Sequence, residues 1–152
     1  MSTEGHRDES HALLREASYR FWTSEKIRFQ DVDRFDHVNN VTFAVYAESG
    51  RVEFLESVTP AELRGDAPFW VIAKLTVEFR EQTHYPGEIR VGTAVLRIGR
   101  SSVTLVQGMF EGSRCVSTAE AVVVLVDPES GHSVPLSQGV RHALEPYVLG
   151  HE

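Results

Sequence analysis

Cysteine is scarce in this sequence: Cys115 is the only one among 152 residues, so no disulfide can form within one chain. No stretch approaches the roughly 20 consecutive apolar residues of a transmembrane helix. The beginning of the chain holds no apolar segment of the signal-peptide type. Together these features predict a cytoplasmic protein without membrane contacts.

Positive charge and metal ligands are also limited. The 22 acidic residues outnumber the 15 basic ones and give a formal charge of −7 at pH 7. Nucleic-acid binding needs a concentrated positive surface, so this balance argues against a nucleic-acid partner. The seven histidines show no close ligand spacing and Cys115 has no second cysteine, so we predict neither a metal site nor a cofactor.

Hydrophobic periodicity predicts one domain over residues 11–152, preceded by a mobile tail at residues 1–10. Apolar positions recur at helical spacing from Ala12 to Phe21 and suggest a short docked helix. Residues 26–31 alternate between polar and apolar, which is typical of a strand.

The rest of the sequence predicts a long helix followed by extended structure. The helical pattern runs from Asn40 to about Ser57, and Asn39 or Asn40 can cap its first turn. Turn residues separate the later segments and favour antiparallel hairpins. The predicted strands cover residues 69–81, 88–98, 102–110 and 115–126, and a closing helix covers residues 137–149. The expected fold class is α+β, with a curved antiparallel sheet of about five strands wrapped around a long central helix.

Residues 31–40 concentrate the chemistry of the chain at the junction between the first strand and the long helix. They hold three carboxylates, one imidazole and two amides, which belong to Asp31, Asp33, Asp36, His37, Asn39 and Asn40. A helix N-terminus carries unsatisfied N–H groups and partial positive charge, which suit a developing oxyanion. Asp33 lies seven residues before Asn40, so a loop can fold its carboxylate back beside that terminus. We expect Asp31, by contrast, to bond backbone amides at the strand end.

Residues 28–43, with Glu48 and Arg51, resemble the opening motif of the hotdog-fold acyl-CoA thioesterases of the 4-hydroxybenzoyl-CoA and long-chain acyl-CoA type. The resemblance extends from about Lys26 to Pro135. It implies a hydrolase that converts an acyl-CoA into the free acid and CoA. It also implies that Asp33 is the nucleophile or general base, and that the backbone N–H at Asn40 or its neighbour polarises the thioester carbonyl.

Three further residues near this motif have open roles. His37 could orient the reacting groups or serve as a hydrogen-bond hub. Glu48 is a second candidate base, because another branch of the fold uses a helix glutamate; alternatively it pairs with Arg51 three residues later. Many relatives carry Gly where this chain has Asp36, whose carboxylate would either repel that of Asp33 or orient His37.

The resemblance also suggests how the substrate is held. Phe43 and Trp70 are candidates for the apolar acyl pocket. Arg97, Arg100 and Ser101 lie at a predicted hairpin turn, where guanidinium groups could bind the phosphates of CoA. An uncovered sheet edge predicts a homodimer that continues the sheet across subunits, or a homotetramer, with the acyl pocket at the interface.

Two other functions stay open at this point. The fold also hosts acyl-thioester hydratases and dehydratases, but here Asp31 and Asp33 precede His37 by six and four residues, whereas those hydratases use a spacing of five. A non-catalytic acyl-CoA-binding protein would keep the groove and lose the reactive carboxylate. Asp33 is present, so hydrolysis is the leading hypothesis.

Overall fold

A computed structural model describes residues 9–59 and 67–151. It shows a five-stranded antiparallel sheet with a long helix packed against one face. The helices are α1 (Asn40–Val58) and α2 (Gln138–Leu144). The strands are β1 (Phe21–Ile27), β2 (Phe69–Phe79), β3 (Gly87–Ile98), β4 (Ser102–Glu111) and β5 (Arg114–Val126).

The strands lie in the order β1-β3-β4-β5-β2, so β1 and β2 are the edges. Consecutive hairpins join β3, β4 and β5, as the turn residues predicted. β2 pairs with β5 on one side, and a bulge between Ile72 and Lys74 interrupts its register. No helix in the described part of the chain is long and apolar enough to cross a membrane.

The start of the chain differs from the prediction. The predicted strand at residues 26–31 is wrong, because β1 ends at Ile27 and Phe29–Asp31 form a short 3-10 turn. Ile27 pairs with Gly87, the first residue of β3, so the chain has no strand partner beyond that point. Phe21 begins β1 and is not part of a helix. Residues 9–12 are helical, and residues 1–8 of the predicted tail lie outside the described residues.

The central helix lies close to the sheet because it presents small residues at the contact. Ala47 is fully buried and Gly50 is buried. A Cβ atom added at Gly50 would lie 2.9 Å from both Thr23 Oγ1 and Val91 Cγ1. Gln107 of β4 donates a hydrogen bond of 2.9 Å to the carbonyl of Ala47. This contact fixes α1 across the sheet and thereby sets the position of its N-terminus.

Candidate active site

Asp31 anchors the loop that leads into α1. Its carboxylate accepts hydrogen bonds from the N–H of Arg28 (2.8 Å) and from the hydroxyl of Tyr46 (2.7 Å). Its backbone carbonyl accepts the N–H of Asn39 at 2.8 Å. Burial and the hydrogen bond to Asp31 raise the pKa of Tyr46, so this hydroxyl stays protonated as a donor. The bond to the Arg28 amide agrees with the expectation that Asp31 bonds backbone amides at the end of the first strand.

The first turn of α1 offers an unused hydrogen-bond donor. Asn39 is the cap, and its side-chain oxygen accepts the N–H of Val41 at 3.1 Å. The N–H of Asn40 has no acceptor among the residues that the structure describes. A helix N-terminus stabilises negative charge through such free donors. Asn40 therefore presents a backbone N–H that suits an oxyanion.

The loop folds Asp33 back towards this terminus. Val32 and Val38 form an antiparallel bridge, and the N–H of Asp33 donates to the carbonyl of His37 at 2.8 Å. The Asp33 carboxylate accepts the N–H of Phe35 (2.8 Å) through Oδ1. Its Oδ2 has no hydrogen-bond partner in the described part of the chain. One carboxylate oxygen thus orients the side chain, and the other is available for chemistry.

Four predicted site residues share one open pocket of about 370 Å³. Asp33, His37, Asn40 and Phe43 line one side of it. The end of β2 and the residues after it, Phe79 to Gln82, line the other side. The pocket is thus lined by a residue with a carboxylate, by a residue whose backbone N–H has no acceptor among the described residues, and by apolar rings. These are the groups that acyl transfer to water requires.

The backbone at Asp36 adopts a conformation that favours glycine. Its φ is 65°, in the left-handed region that glycine adopts without strain and that aspartate tolerates better than most residues. Its carbonyl accepts a hydrogen bond from Nδ1 of His84 at 2.7 Å. The His84 ring lies against that of His37, with ring centres 5.1 Å apart. Within the described residues, the Asp36 carboxylate makes no hydrogen bond to His37.

Glu48 does not line the pocket of Asp33 in its own chain. It is eight residues beyond Asn40 on α1, a rise of about 12 Å along the helix axis. It lines a separate open groove of about 690 Å³ between α1 and the start of β2. Phe69, Trp70 and Ile72 form part of the opposite wall. One chain therefore does not bring Glu48 beside the N–H of Asn40.

Arg51 lies beside Glu48 in the groove. Its residue exposure is only 5%, and its Nη1 is buried without a hydrogen-bond partner. The ion pair between Glu48 and Arg51, which the sequence left open as an alternative, is not formed within 4.0 Å in the described residues. Burial lowers the pKa of Arg51, and the carboxylate of Glu48 opposes this effect. The motif contained Arg51, but only the packing reveals that this cation is buried and that its Nη1 has no partner among the described residues.

The predicted substrate-binding residues divide into two groups. Phe43 is buried beside Asp33 and contacts Phe79, with ring centres 6.0 Å apart. Trp70 lies in the separate groove between α1 and β2, where its Nε1 donates a hydrogen bond of 3.1 Å to Thr59. The remaining three residues, Arg97, Arg100 and Ser101, surround the turn between β3 and β4.

The β3–β4 turn is far from Asp33 within one chain. The pocket of Asp33 is at the end of the sheet where β1 stops and β3 begins at Gly87. The turn follows Ile98, eleven residues later, which corresponds to roughly 36 Å along the strand. A cation that the prediction overlooked, Arg80, lines the pocket of Asp33 directly. In the sequence, Arg80 is one of the alternating polar residues of the predicted strand at residues 69–81, and nothing distinguishes it from the others.

The described residues contain no group of three or more His, Cys, Asp or Glu side chains placed to hold a metal ion. The lone thiol of Cys115 is half-buried, and this burial raises its pKa. Neither feature adds a reactive group to the pocket.

Comparison with known proteins identifies the family of this chain. It is 29% identical over 129 residues to YsmA, an uncharacterized protein of Bacillus subtilis, covering 84% of this chain and 86% of YsmA. A predicted thioesterase from Bacillus stearothermophilus is 27% identical with a TM-score of 0.77, covering 84% of this chain and 96% of that one. A thioesterase from Thermus thermophilus, crystallised with coenzyme A and zinc, is 24% identical with a TM-score of 0.74, covering 86% and 95%. These likenesses confirm the hotdog fold. The sequence model of the thioesterase-like superfamily matches residues 27–144, and the chain therefore belongs to that superfamily.

Proposed function

We propose that this protein hydrolyses an acyl-CoA thioester to the free acid and CoA. The observation that carries the proposal is the shared pocket of the Asp33 carboxylate and the N–H of Asn40, which has no acceptor among the described residues. Family membership supports thioester hydrolysis in general. The CoA bound to the Thermus thermophilus relative supports CoA as the carrier.

Two routes use this geometry. In the first, Oδ2 of Asp33 attacks the acyl carbon, the carbon–sulfur bond breaks, and water then cleaves the mixed anhydride. In the second, Asp33 takes a proton from a water molecule that attacks the same carbon. The N–H of Asn40 stabilises the oxyanion in both routes. Label found in Asp33 after one turnover in oxygen-18 water with excess enzyme identifies the anhydride route, because only water that attacks Cγ of Asp33 in the anhydride leaves its oxygen in that side chain.

The remaining pocket residues support this chemistry. Phe43 forms an apolar wall for the carbon next to the carbonyl. The separate groove between α1 and β2, lined in part by Trp70, offers further apolar surface for an acyl group. His37 is half-buried and meets the ring of His84 edge to face, an arrangement that suits a role in orienting the loop. Glu48 could act as a base only on a thioester held by another subunit, since it is about 12 Å along the axis from its own Asn40.

The exposed edge of β2 supports assembly into a homodimer. Four of its apolar side chains are exposed in the single chain, at Phe69, Ile72, Leu75 and Phe79. An edge strand with exposed apolar groups is a template for pairing with a second copy. An antiparallel β2–β2 contact would continue the sheet and close the groove at the interface, and two such dimers could form a tetramer.

This dimer also affects where the phosphates of CoA bind. Arg80 can receive them from its own chain, since it lines the pocket of Asp33. Arg97, Arg100 and Ser101 lie at the opposite end of the sheet. An antiparallel contact brings that end of one subunit to the side on which the other subunit carries Asp33. We therefore propose that these three residues serve the pocket of the neighbouring subunit.

The decisive experiment compares two isosteric variants of one loop. Asp33→Asn removes the proposed reactive carboxylate, and we expect hydrolysis of a panel of short, long and aromatic acyl-CoAs to fall by about 10²- to 10⁴-fold. Asp36→Asn is the control, because asparagine also tolerates the left-handed backbone there. Free thiol release measures both. Equal rates for Asp33→Asn and the wild type would remove Asp33 from the mechanism.

One observation favours a second function, that of an acyl-CoA-binding protein without catalysis. Asp33 already has a structural task, since its Oδ1 accepts the N–H of Phe35 within the loop. A loop aspartate of this kind needs no chemistry to explain its presence. Binding of acyl-CoA without hydrolysis by the wild type would support this function. The third possibility for this fold is hydration or dehydration of an acyl thioester. It is tested by measuring whether the carbon–carbon double bond of the acyl group is lost or formed.

A further inference from the structure

The orientation of Asp33 depends on the backbone at Asp36, three residues later. The N–H of Asp36 donates to the carbonyl of Asp33 at 3.0 Å, and the N–H of Asp33 donates to the carbonyl of His37 at 2.8 Å. Among the described residues, Asp36 is the one non-glycine residue with a positive φ, at 65°. This conformation costs energy for a residue that has a Cβ atom. A rotation at Asp36 would break both hydrogen bonds and move Asp33.

His84 contacts the loop at this position. Its Nδ1 lies 2.7 Å from the carbonyl oxygen of Asp36. A carbonyl oxygen can only accept a hydrogen bond, so the imidazole must carry a proton on Nδ1. A hydrogen bond of this length restrains the peptide group that joins Asp36 to His37. The ring of His84 also meets the ring of His37 edge to face, so it contacts the residues on both sides of that peptide group.

The segment that carries His84 is itself attached to the sheet. The carbonyl of Thr83 accepts the N–H of Val38 at 2.9 Å, which ties the end of the loop to this segment. Thr83 is 1% exposed, and its hydroxyl donates to the carboxylate of Glu111 at the end of β4. Arg114, the first residue of β5, donates to the same carboxylate at 2.5 Å. The β4–β5 hairpin therefore fixes the backbone next to His84, so this histidine can hold the loop in place.

We propose that His84 is a positioning residue for hydrolysis, and that its Nδ1–H bond to the carbonyl of Asp36 holds Asp33 in the orientation that the reaction needs. His84 does not line the pocket of Asp33, so it acts through the loop and does not touch the thioester. The inference rests on the proposed function and adds a residue that lies far from residues 31–40 in the sequence. Its chemical requirement is a hydrogen-bond donor at the position of Nδ1.

Two substitutions at His84 separate the donor from the rest of the ring. His84→Leu removes the donor, and we expect kcat to fall by about ten- to a hundredfold with KM changed less, because a misplaced carboxylate slows the reaction without weakening binding. His84→Asn supplies an amide N–H close to the position of Nδ1 and should regain most of the lost rate. His84 is exposed, so neither variant removes a core contact. A wild-type kcat in His84→Leu, or equal losses in both variants, would overturn the proposal.

A double-mutant cycle tests whether His84 acts through Asp33. The reactive carboxylate is absent in Asp33→Asn, so adding His84→Leu should change the residual rate by less than about threefold. A further loss as large as that in the wild-type background would show that His84 acts on another group, and the proposal would fail. His132→Leu is the matched control, because His132 is exposed in the turn after β5 and its kcat should stay within about twofold of the wild type. Free thiol release measures all of these rates.

Two measurements test the contact without any hydrolysis. Nitrogen-15 NMR of the neutral imidazole of His84 should show the proton on Nδ1, and a proton on Nε2 instead would refute the bond. Hydrogen exchange at the Asp33 amide should be at least about tenfold faster in His84→Leu than in the wild type or His84→Asn, because the loop then opens more often. An unchanged exchange rate would also refute the contact. If the wild type hydrolyses no thioester, the proposed function fails, and these two measurements still decide whether His84 holds the loop.

Discussion

The bond between Tyr46 and Asp31 gives a quantitative prediction, because it joins the helix to the loop of the proposed site. Tyr46 is 3% exposed, and its hydroxyl lies 2.7 Å from Oδ2 of Asp31. Tyr46→Phe removes only this donor and leaves a buried carboxylate with one fewer hydrogen bond. A hydrogen bond to a charged group contributes about 1.5 to 3 kcal/mol to stability. For a chain of this size the melting temperature should fall by roughly 3 to 12 °C.

Tyr46→Phe should also slow the proposed catalytic step. The carbonyl of Asp31 accepts the N–H of Asn39, which caps α1 beside the N–H of Asn40. If Asp31 loses its bond to Tyr46 and moves, the N–H of Asn40, which is the proposed oxyanion donor, moves with the cap. We expect kcat for acyl-CoA hydrolysis to fall by roughly tenfold, with KM changed less.

The assays are thermal and urea denaturation at one fixed protein concentration, because assembly makes stability depend on concentration. Tyr147→Phe is the matched control: its hydroxyl has no hydrogen bond among the described residues, so we expect a change within about 0.5 kcal/mol. If Tyr46→Phe unfolds at the same urea concentration as the wild type and this control, Asp31 and Tyr46 do not hold the loop to α1, and the reasoning is refuted.

Three further substitutions test how the chain is packed. Gly50→Ala should destabilise by about 1 to 3 kcal/mol in urea unfolding, because its Cβ would lie 2.9 Å from Val91; unchanged stability would mean that α1 can move off the sheet. Asp36→Gly should stay within about 1 kcal/mol of the wild type, whereas Asp36→Val should lose about 1 to 2 kcal/mol at this positive φ; equal values would contradict the backbone argument. Tyr19→Ala should destabilise by about 3 to 5 kcal/mol, because its ring covers Gly92 and is 5% exposed; a loss below 1 kcal/mol in thermal unfolding would show that this segment does not cover the sheet.

Much of the fold was predictable because its elements carry local signals. The helix at Asn40 begins with a capping residue and an apolar pattern, and the structure begins α1 at that residue. The alternation of β2 and the turns between β3, β4 and β5 likewise predicted strands that the structure contains. The first strand was misplaced because residues 26–31 alternate like a strand, while their pairing ends where β3 begins at Gly87. Local alternation carries no information about where a partner strand stops.

The site was predictable to the extent that it is local in sequence. Asp33, His37, Asn40 and Phe43 lie within eleven residues, so a single loop and helix turn can place them around one pocket. A turn and a cap are short-range structures, and the residue types at residues 31–40 specify them.

Long-range packing decided the rest. It placed Arg97 and Arg100 at the far end of the sheet and brought Arg80 to the pocket. It also buried Arg51, whose Nη1 has no hydrogen-bond partner among the described residues, a state that depends on neighbours distant in the chain. Residue order determines the chemistry and local shape of residues 31–40. Strand order, register and burial decide which other side chains lie beside residues 31–40. These three properties arise only when the sheet packs against the helix, so local sequence does not specify them.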